Sequence, residues 1–270
     1  MSVRRRAPGE IQVVAHRGSS EDAPEHTLAA YRKAIADGAD ALECDVRMTA
    51  DGHLVCVHDR RVNRTSNGRG AVASMELADL AELDFGSWRG SAGRDETPDS
   101  APDAADPERT AVLTLERLLR LVADAGRPVG LAIETKHPSR WAGRVEERLL
   151  ELLRAYELPG PVRVMSFSAR SLQRIRLAAP ELPTVYLMRF VLPRHRSGRL
   201  PAAATVAGPS VRVLRRDPGY VERAHRAGHE VHVWTVDEPE DVDLCARLGV
   251  DAIITNRPLT VRERLGRAGG

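Results

Sequence analysis

The feature that most constrains the fold of this chain is an alternation, sustained over nearly its whole length, of short β-branched runs with helical patterns. Extended runs are predicted at Ile11–Ala15, Ala41–Val46, Leu54–Val57, Val129–Glu134, Val162–Phe167, Thr184–Leu187, Val231–Val236 and Ala252–Thr255, with a weaker one near Val211–Leu214. Between them lie helical patterns at Thr27–Ala36, Thr114–Ala125, Arg140–Tyr156, Ser168–Ala178, Tyr220–Ala227 and Pro239–Leu248. Several are closed by glycine (Gly38, Gly126, Gly228, Gly249), which takes the left-handed turn that ends a helix. Strands separated by helices run parallel, because a crossover of that length returns the chain to the same end of a sheet. Eight or nine strands in 270 residues suit a closed (β/α)₈ TIM barrel, an α/β fold in a single domain, better than an open doubly wound sheet. The candidates exceed eight by one, so one is not a stave of the barrel. Leu54–Val57, close behind the Asp51–Gly52 turn, and Val211–Leu214 are the two suspects.

One region breaks the rhythm. From Asp84 to Thr110 the chain is rich in Pro, Gly, Ser and Asp, and a loop of that length in a barrel is usually functional or unfolded. Arg60–Ala111 therefore reads as an insertion after the third strand segment, near the barrel mouth. Its centre, Ala92–Pro107, has too little apolar content to fold firmly alone, whereas Ser74–Leu83 and Phe85–Trp88 carry side chains that can pack beside the mouth.

Charge and cysteine content exclude several classes. Forty basic residues against 38 acidic ones leave a net charge of +2, without the dense basic face of a general nucleic-acid binder. The one basic run near a terminus, Arg4–Arg6, reads as a solvated end. The first residues hold no apolar stretch of the kind a secretory signal needs, and no transmembrane segment is predicted. Cys44, Cys56 and Cys245 have neither disulfide-framework nor zinc spacing, which favours a cytoplasmic location. Oligomeric state leaves no trace in the sequence.

The chemistry is concentrated where predicted strands end. In ALECDV the side chains alternate faces, so Glu43 and Asp45 point one way while Leu42, Cys44 and Val46 point the other. A helix-covered strand needs apolar residues outward, so both carboxylates face the barrel interior, at the end where barrel active sites are built. Two buried carboxylates call for a compensating cation or a nearby arginine. In GLAIETK, Glu134 and Lys136 share a face in the same way. Glu134 can complete a three-carboxylate site, and Lys136 can offer a point charge to an anionic substrate. Oxygen ligands without a Cys/His cluster favour Mg²⁺ or Ca²⁺ over zinc.

Two further predicted strands end in histidine followed by a charged residue, VVAHRG at His16–Arg17 and LVCVHD at His58–Asp59. Histidine titrates near neutrality, so such a pair can serve as general base and general acid, and Arg17 presents a planar fork suited to phosphate oxygens. The other histidines, His26, His53, His137, His195, His225, His229 and His232, read mostly as surface residues.

HRGSSEDAPEHT, ALECDVRMTADGHLVCVHD, NRTSNGRG, LAIETK, SFS, HVWTVD and GVDAIITNRP, in this order from about Val13 to Pro258, resemble the glycerophosphodiester phosphodiesterase family. The resemblance implies a (β/α)₈ barrel with an insertion after the second catalytic histidine. It implies His16 and His58 as the acid–base pair, Glu43, Asp45 and Glu134 as ligands of one divalent cation, and Arg17 and Lys136 as phosphate-binding residues. Trp234 and Phe167 would form pocket wall, and Glu25 a supporting acidic group close to the site. The chain departs from the family pattern at His26, where asparagine is usual; that position is expected to cap the first helix, with Thr27 able to share the task.

The implied reaction takes a small-molecule glycerophosphodiester to sn-glycerol 3-phosphate and an alcohol. The attacking oxygen is either water or the glycerol 2-hydroxyl. Two rivals stand beside this reading. One is lysophospholipase D-type cleavage by the same site, with Leu187–Leu192 as an apolar groove. The other is a phosphodiester-binding protein without turnover, which would be expected to have lost a histidine or a metal carboxylate.

Overall fold

A parallel strand flanked by helices is buried on both faces, and the strands of this chain show it: almost every position in them is buried. The computed structural model describes residues 6–89 and 106–267. Its strands are β1 (Gln12–His16), β2 (Ala41–Met48), β3 (Leu54–Cys56), β4 (Gly130–Thr135), β5 (Val162–Ser166), β6 (Thr184–Met188), β7 (Val206–Pro209), β8 (Glu230–Val233) and β9 (Ala252–Thr255). They follow the order β1-β9-β8-β7-β6-β5-β4-β2, and β1 pairs with β2, so eight parallel strands close a barrel.

Both suspect segments prove not to be staves. β3 runs antiparallel to β2, as the tight turn at Asp51–Gly52 requires, and lies outside the closed ring. Val211–Leu214 is the start of a helix, Val211–Arg216, whose buried positions 211, 213 and 214 fit a helical face as well as a strand's alternation. The stave missing from the sequence reading is β7, with the sequence VAGP, and it carries no β-branched run. Gly208 is needed there because a Cβ would stand 2.8 Å from Leu187 Cδ2 on β6.

Helices Leu28–Ala36, Leu115–Ala123, Arg144–Ala155, Ala169–Ala178, Tyr220–Arg226, Pro239–Leu248 and Pro258–Arg264 surround the ring. Leu42, Cys44 and Val46 point out of β2 into a core shared with Leu115, Leu118, Leu119 and Val122. The opposite parity fills the interior with Val14, Ala41, Ala132, Met165, Val185, Leu187, Val206, Ala252 and Ile254. All three cysteines are buried free thiols.

The segment between β3 and β4 builds a satellite core of Val55, Val57, Val62, Val72, Leu80, Phe85 and Val112. Phe85 is thus packed below the site, and Trp88 lies near Arg64, its ring centroid 5.9 Å from the guanidinium carbon. Neither lines the main cleft, but Phe85 borders a smaller recess shared with Glu25, His26 and His58. Most of Ala92–Pro107 lies outside the described residues. Arg6 is not a solvated end: its Nε donates to Asp251 at 2.9 Å. No helix among the described residues is long and apolar enough to cross a membrane.

Candidate active site

Strand register assembles the site. His16 on β1 is level with Glu43 on β2, and Asp45 on β2 is level with Glu134 on β4, all on the inward parity near the C-terminal ends of the strands. Glu43, Asp45 and Glu134 are buried, and one carboxylate oxygen from each lies within 4.8 Å of the others. Lys136 Nζ stands 2.8 Å from both Asp45 Oδ1 and Glu134 Oε1. Burial, joined by the charge of Asp45, pushes the Glu43 carboxyl well above the usual carboxylate range, and Glu134 rises for the same reasons. Burial alone would raise Asp45 too, but Lys136, His26 and Arg17 outweigh it and hold this group well down. Three oxygen donors at this spacing, two of them disfavoured as free anions, fit a hard divalent cation.

Both histidines line the same cleft as the carboxylates, an open space of about 440 Å³. His16 Nδ1 lies 2.8 Å from Asn256 Oδ1, and Asn256 Nδ2 donates to Asp237 at 2.6 Å. With the amide oriented by Asp237, His16 carries its proton on Nδ1 and turns Nε2 towards Glu43, 4.0 Å away. His58 Nδ1 lies 2.7 Å from Asp59 Oδ1, which likewise frees Nε2. Arg47 fixes the His58 backbone by donating two hydrogen bonds, at 3.0 and 2.7 Å, to its carbonyl. Burial, reinforced by nearby cations such as Arg17, depresses both imidazoles, His16 to about 3 and His58 to about 4.

A second layer connects the two histidine loops. Arg17 Nη1 donates to Glu25 at 3.0 Å, and its Nε stands 3.1 Å from Asp45. Arg64 bridges Glu25 (2.8 and 2.9 Å) and Asp59 (2.7 Å). Burial would raise Glu25, but the hydrogen bonds from Arg64 and the charge of Arg17 bring it down to about 2. Arg17 and His26 both adopt left-handed backbone angles, φ 58° and 61°, which side chains other than glycine seldom take. On the far wall Phe167 meets Trp234 edge to face, centroids 5.4 Å apart, and Trp234 Nε1 donates to Gly208 O at 2.7 Å.

Eight of the ten residues singled out in the sequence line the cleft: His16, Arg17, Glu43, His58, Glu134, Lys136, Phe167 and Trp234. Asp45 lies beneath them in the carboxylate cluster, and Glu25 stands behind Arg17. His26 differs from expectation. Thr27 caps the first helix by accepting from Ala30 N, while His26 is buried, with Nε2 2.9 Å from Asp45 and Nδ1 2.8 Å from the Tyr31 hydroxyl. His195 and His232 are also buried rather than at the surface. Asn256, Asp237, Arg47 and Arg64 were not singled out, although Asn256 and Asp237 stand inside the GVDAIITNRP and HVWTVD blocks.

A closed parallel barrel whose mouth gathers three carboxylates, two histidines and two cations defines a hydrolase of the barrel class. Residues 16–260 match the glycerophosphoryl diester phosphodiesterase family. A protein of Mycobacterium tuberculosis named "Probable glycerophosphodiester phosphodiesterase 1" is 47% identical, covering 97% of this chain and 96% of the relative. A Bacillus subtilis glycerophosphodiester phosphodiesterase is 35% identical over 93% of this chain and 85% of its own length. The fold is shared with an Oleispira antarctica phosphodiesterase solved with its product sn-glycerol 3-phosphate, at a TM-score of 0.79 and 23% identity over 94% of this chain and 96% of that one. The chain belongs to the glycerophosphoryl diester phosphodiesterase family and is an enzyme of that activity.

Proposed function

We infer that the enzyme hydrolyses glycerophosphodiesters to sn-glycerol 3-phosphate and an alcohol, depends on one divalent cation, Mg²⁺ or Ca²⁺, and uses His16 and His58 as its acid–base pair. The observation that carries this reading is the carboxylate cluster, its oxygens within 4.8 Å, opening into the cleft that both histidines line.

A phosphodiester resists hydrolysis largely because its charge repels nucleophiles. Glu43, Asp45 and Glu134 would hold a divalent cation, which would supply positive charge to the phosphoryl oxygens. Arg17 and Lys136 add fixed positive charge beside the non-bridging oxygens and stabilise the negative charge those oxygens carry in the transition state. Each histidine offers an unprotonated Nε2 to the cleft. One takes the proton from the attacking oxygen, and the other, once protonated, gives its proton to the departing alcohol. Asn256 and Asp59 keep the two rings in the tautomer this requires. Phe167 and Trp234 exclude water from one side and bear on the substrate's carbon skeleton.

Product analysis with glycerophosphocholine, glycerophosphoethanolamine and lysophosphatidylcholine, with and without chelator, tests the whole reading. The expected result is sn-glycerol 3-phosphate and free choline or ethanolamine from the first two, abolished by EDTA. Release of phosphocholine, or turnover indifferent to EDTA, would overturn it.

A further inference from the structure

Arg189 is a cation of the cleft that no carboxylate engages among the described residues. Arg17 is held against Glu25 and Asp45, and Lys136 against Asp45 and Glu134. Among the described residues Arg189 forms no ion pair within 4.0 Å. Its place is set by the strand before it. Lying two residues beyond Leu187, it continues the inward parity of β6 and lines the cleft with that leucine. Ser210 fixes the backbone, its N donating to Met188 O at 2.8 Å and its Oγ to Arg189 O at 3.0 Å. The guanidinium lies over the Phe167 ring, 5.6 Å from the centroid, and Phe167 rests edge-on against Trp234.

The chain segment that carries Arg189 has one sign of charge. From Leu182 to Arg216 the chain holds seven arginines and no aspartate or glutamate, in a molecule whose net charge is +2. Arg194, Arg196 and Arg199 are exposed in the segment that follows it. The carboxylates, the histidines and Arg17 come from β1, β2 and β4 and the loops beside them. Phe167, Arg189 and Trp234 follow β5, β6 and β8 on the opposite arc. A phosphoryl group bound on the first arc leaves one of its two ester substituents to reach the second, and we take this to be the leaving alcohol.

We propose that Arg189 is a specificity-determining residue that favours glycerophosphodiesters with an anionic leaving alcohol and disfavours those bearing a quaternary ammonium. The inference rests on the reading above that the cleft takes glycerophosphodiesters. An aromatic wall alone would attract a choline ammonium through its ring faces. Here Arg189 already covers the Phe167 face and repels a second cation. Its free N–H donors form a fork that matches phosphate or carboxylate oxygens.

The test compares kcat/KM for bis(glycerophospho)glycerol, whose leaving alcohol carries a second phosphodiester, with kcat/KM for glycerophosphocholine. It uses the full chain at low ionic strength. After allowance for the two equivalent bonds of the first substrate, the anionic substrate should be preferred by up to about fivefold, the worth of one exposed ion pair. Added salt should narrow the preference. Arg189→Ala should lower the ratio about fivefold, chiefly through KM of the anionic substrate, and Arg189→Lys should keep most of it. Arg189→Glu should favour glycerophosphocholine. A wild-type preference for glycerophosphocholine, or a ratio in Arg189→Glu within twofold of wild type, overturns the assignment. So does an Arg189→Ala chain that loses both activities equally. Failure of the wild-type chain to cleave either diester would instead remove the functional reading, and this inference with it.

Discussion

A histidine serves as a base only if its lone pair faces the reacting atoms, and here each ring is turned by a partner on Nδ1, Asn256 for His16 and Asp59 for His58. On the proposed mechanism, His16→Ala and His58→Ala should each reduce kcat by roughly 10²–10⁴-fold, the usual worth of general acid–base catalysis, with the fold intact by circular dichroism. A variant retaining more than about a tenth of wild-type turnover would make that histidine structural. Asn256→Ala leaves the ring in place but unaligned, so the expected loss is smaller, roughly tenfold, and should fall on kcat more than on KM. The primary residues could be read from the sequence because side-chain parity along a strand is a local property: Glu43 with Asp45, and Glu134 with Lys136, declare their shared face within three residues. Asn256 could not be read this way, since it meets His16 across 240 positions of chain and only closure of the barrel between β1 and β9 brings them together. His26 was misread for the opposite reason. Its place before a helix suggested a local cap, but its contacts are to Asp45 and Tyr31.

At the scale of elements, short β-branched runs located seven of the eight staves, and the miss at β7 has a local cause. VAGP offers a single β-branched residue, Val206, and Gly208 passes Leu187 and Val185 closely, so the sequence signal for a strand is weak where the fold is tight. Val211–Leu214 drew the assignment instead, since alternation over four residues does not separate a strand from one turn of helix. Outside the barrel, the helix Arg144–Ala155 depends on Glu146, which is buried and accepts from Gly143 N at 2.8 Å and Arg174 Nη1 at 3.2 Å, with His137 Nε2 also 3.2 Å away. Burial would raise this carboxyl, but hydrogen bonds from His137, Ser171 and the backbone of Glu146 and Gly143 bring it down to about 2. A folded pKa below the unfolded one means a contribution that is complete above about pH 4.5 and is lost as pH falls towards 2. Glu146→Gln should therefore lower stability by on the order of 2 kcal/mol at pH 7. The gap to wild type in urea unfolding should close progressively below about pH 4.5. A gap constant down to pH 3 would show that the loss is steric rather than ionic.

For the whole molecule, the carboxylate triad is a cost built into the barrel. Glu43, Asp45 and Glu134 are all buried at a junction of β2 and β4, the strand pair on which the insertion side of the barrel depends. Lys136 and Arg17 offset part of the repulsion, yet Glu43 and Glu134 remain disfavoured as anions, so the folded chain gains by any divalent cation that takes all three oxygens. The unfolded chain, with the three groups dispersed, has no such site. Binding confined to the folded state raises stability by RT ln(1 + [M]/Kd), about 2.7 kcal/mol at a hundredfold excess over Kd. Calorimetry should accordingly show Tm climbing with Mg²⁺ or Ca²⁺ concentration, by roughly 5–10 °C at that hundredfold excess for a chain of this size, and falling back in EDTA. Glu134→Gln removes one ligand charge and one source of repulsion together. Its metal-free Tm should equal or exceed that of wild type, while its response to cation should be greatly weakened. A metal-free wild type already as stable as the loaded protein, or a Glu134→Gln chain with an undiminished response, would show that the triad balances its charge within the protein and does not hold a cation.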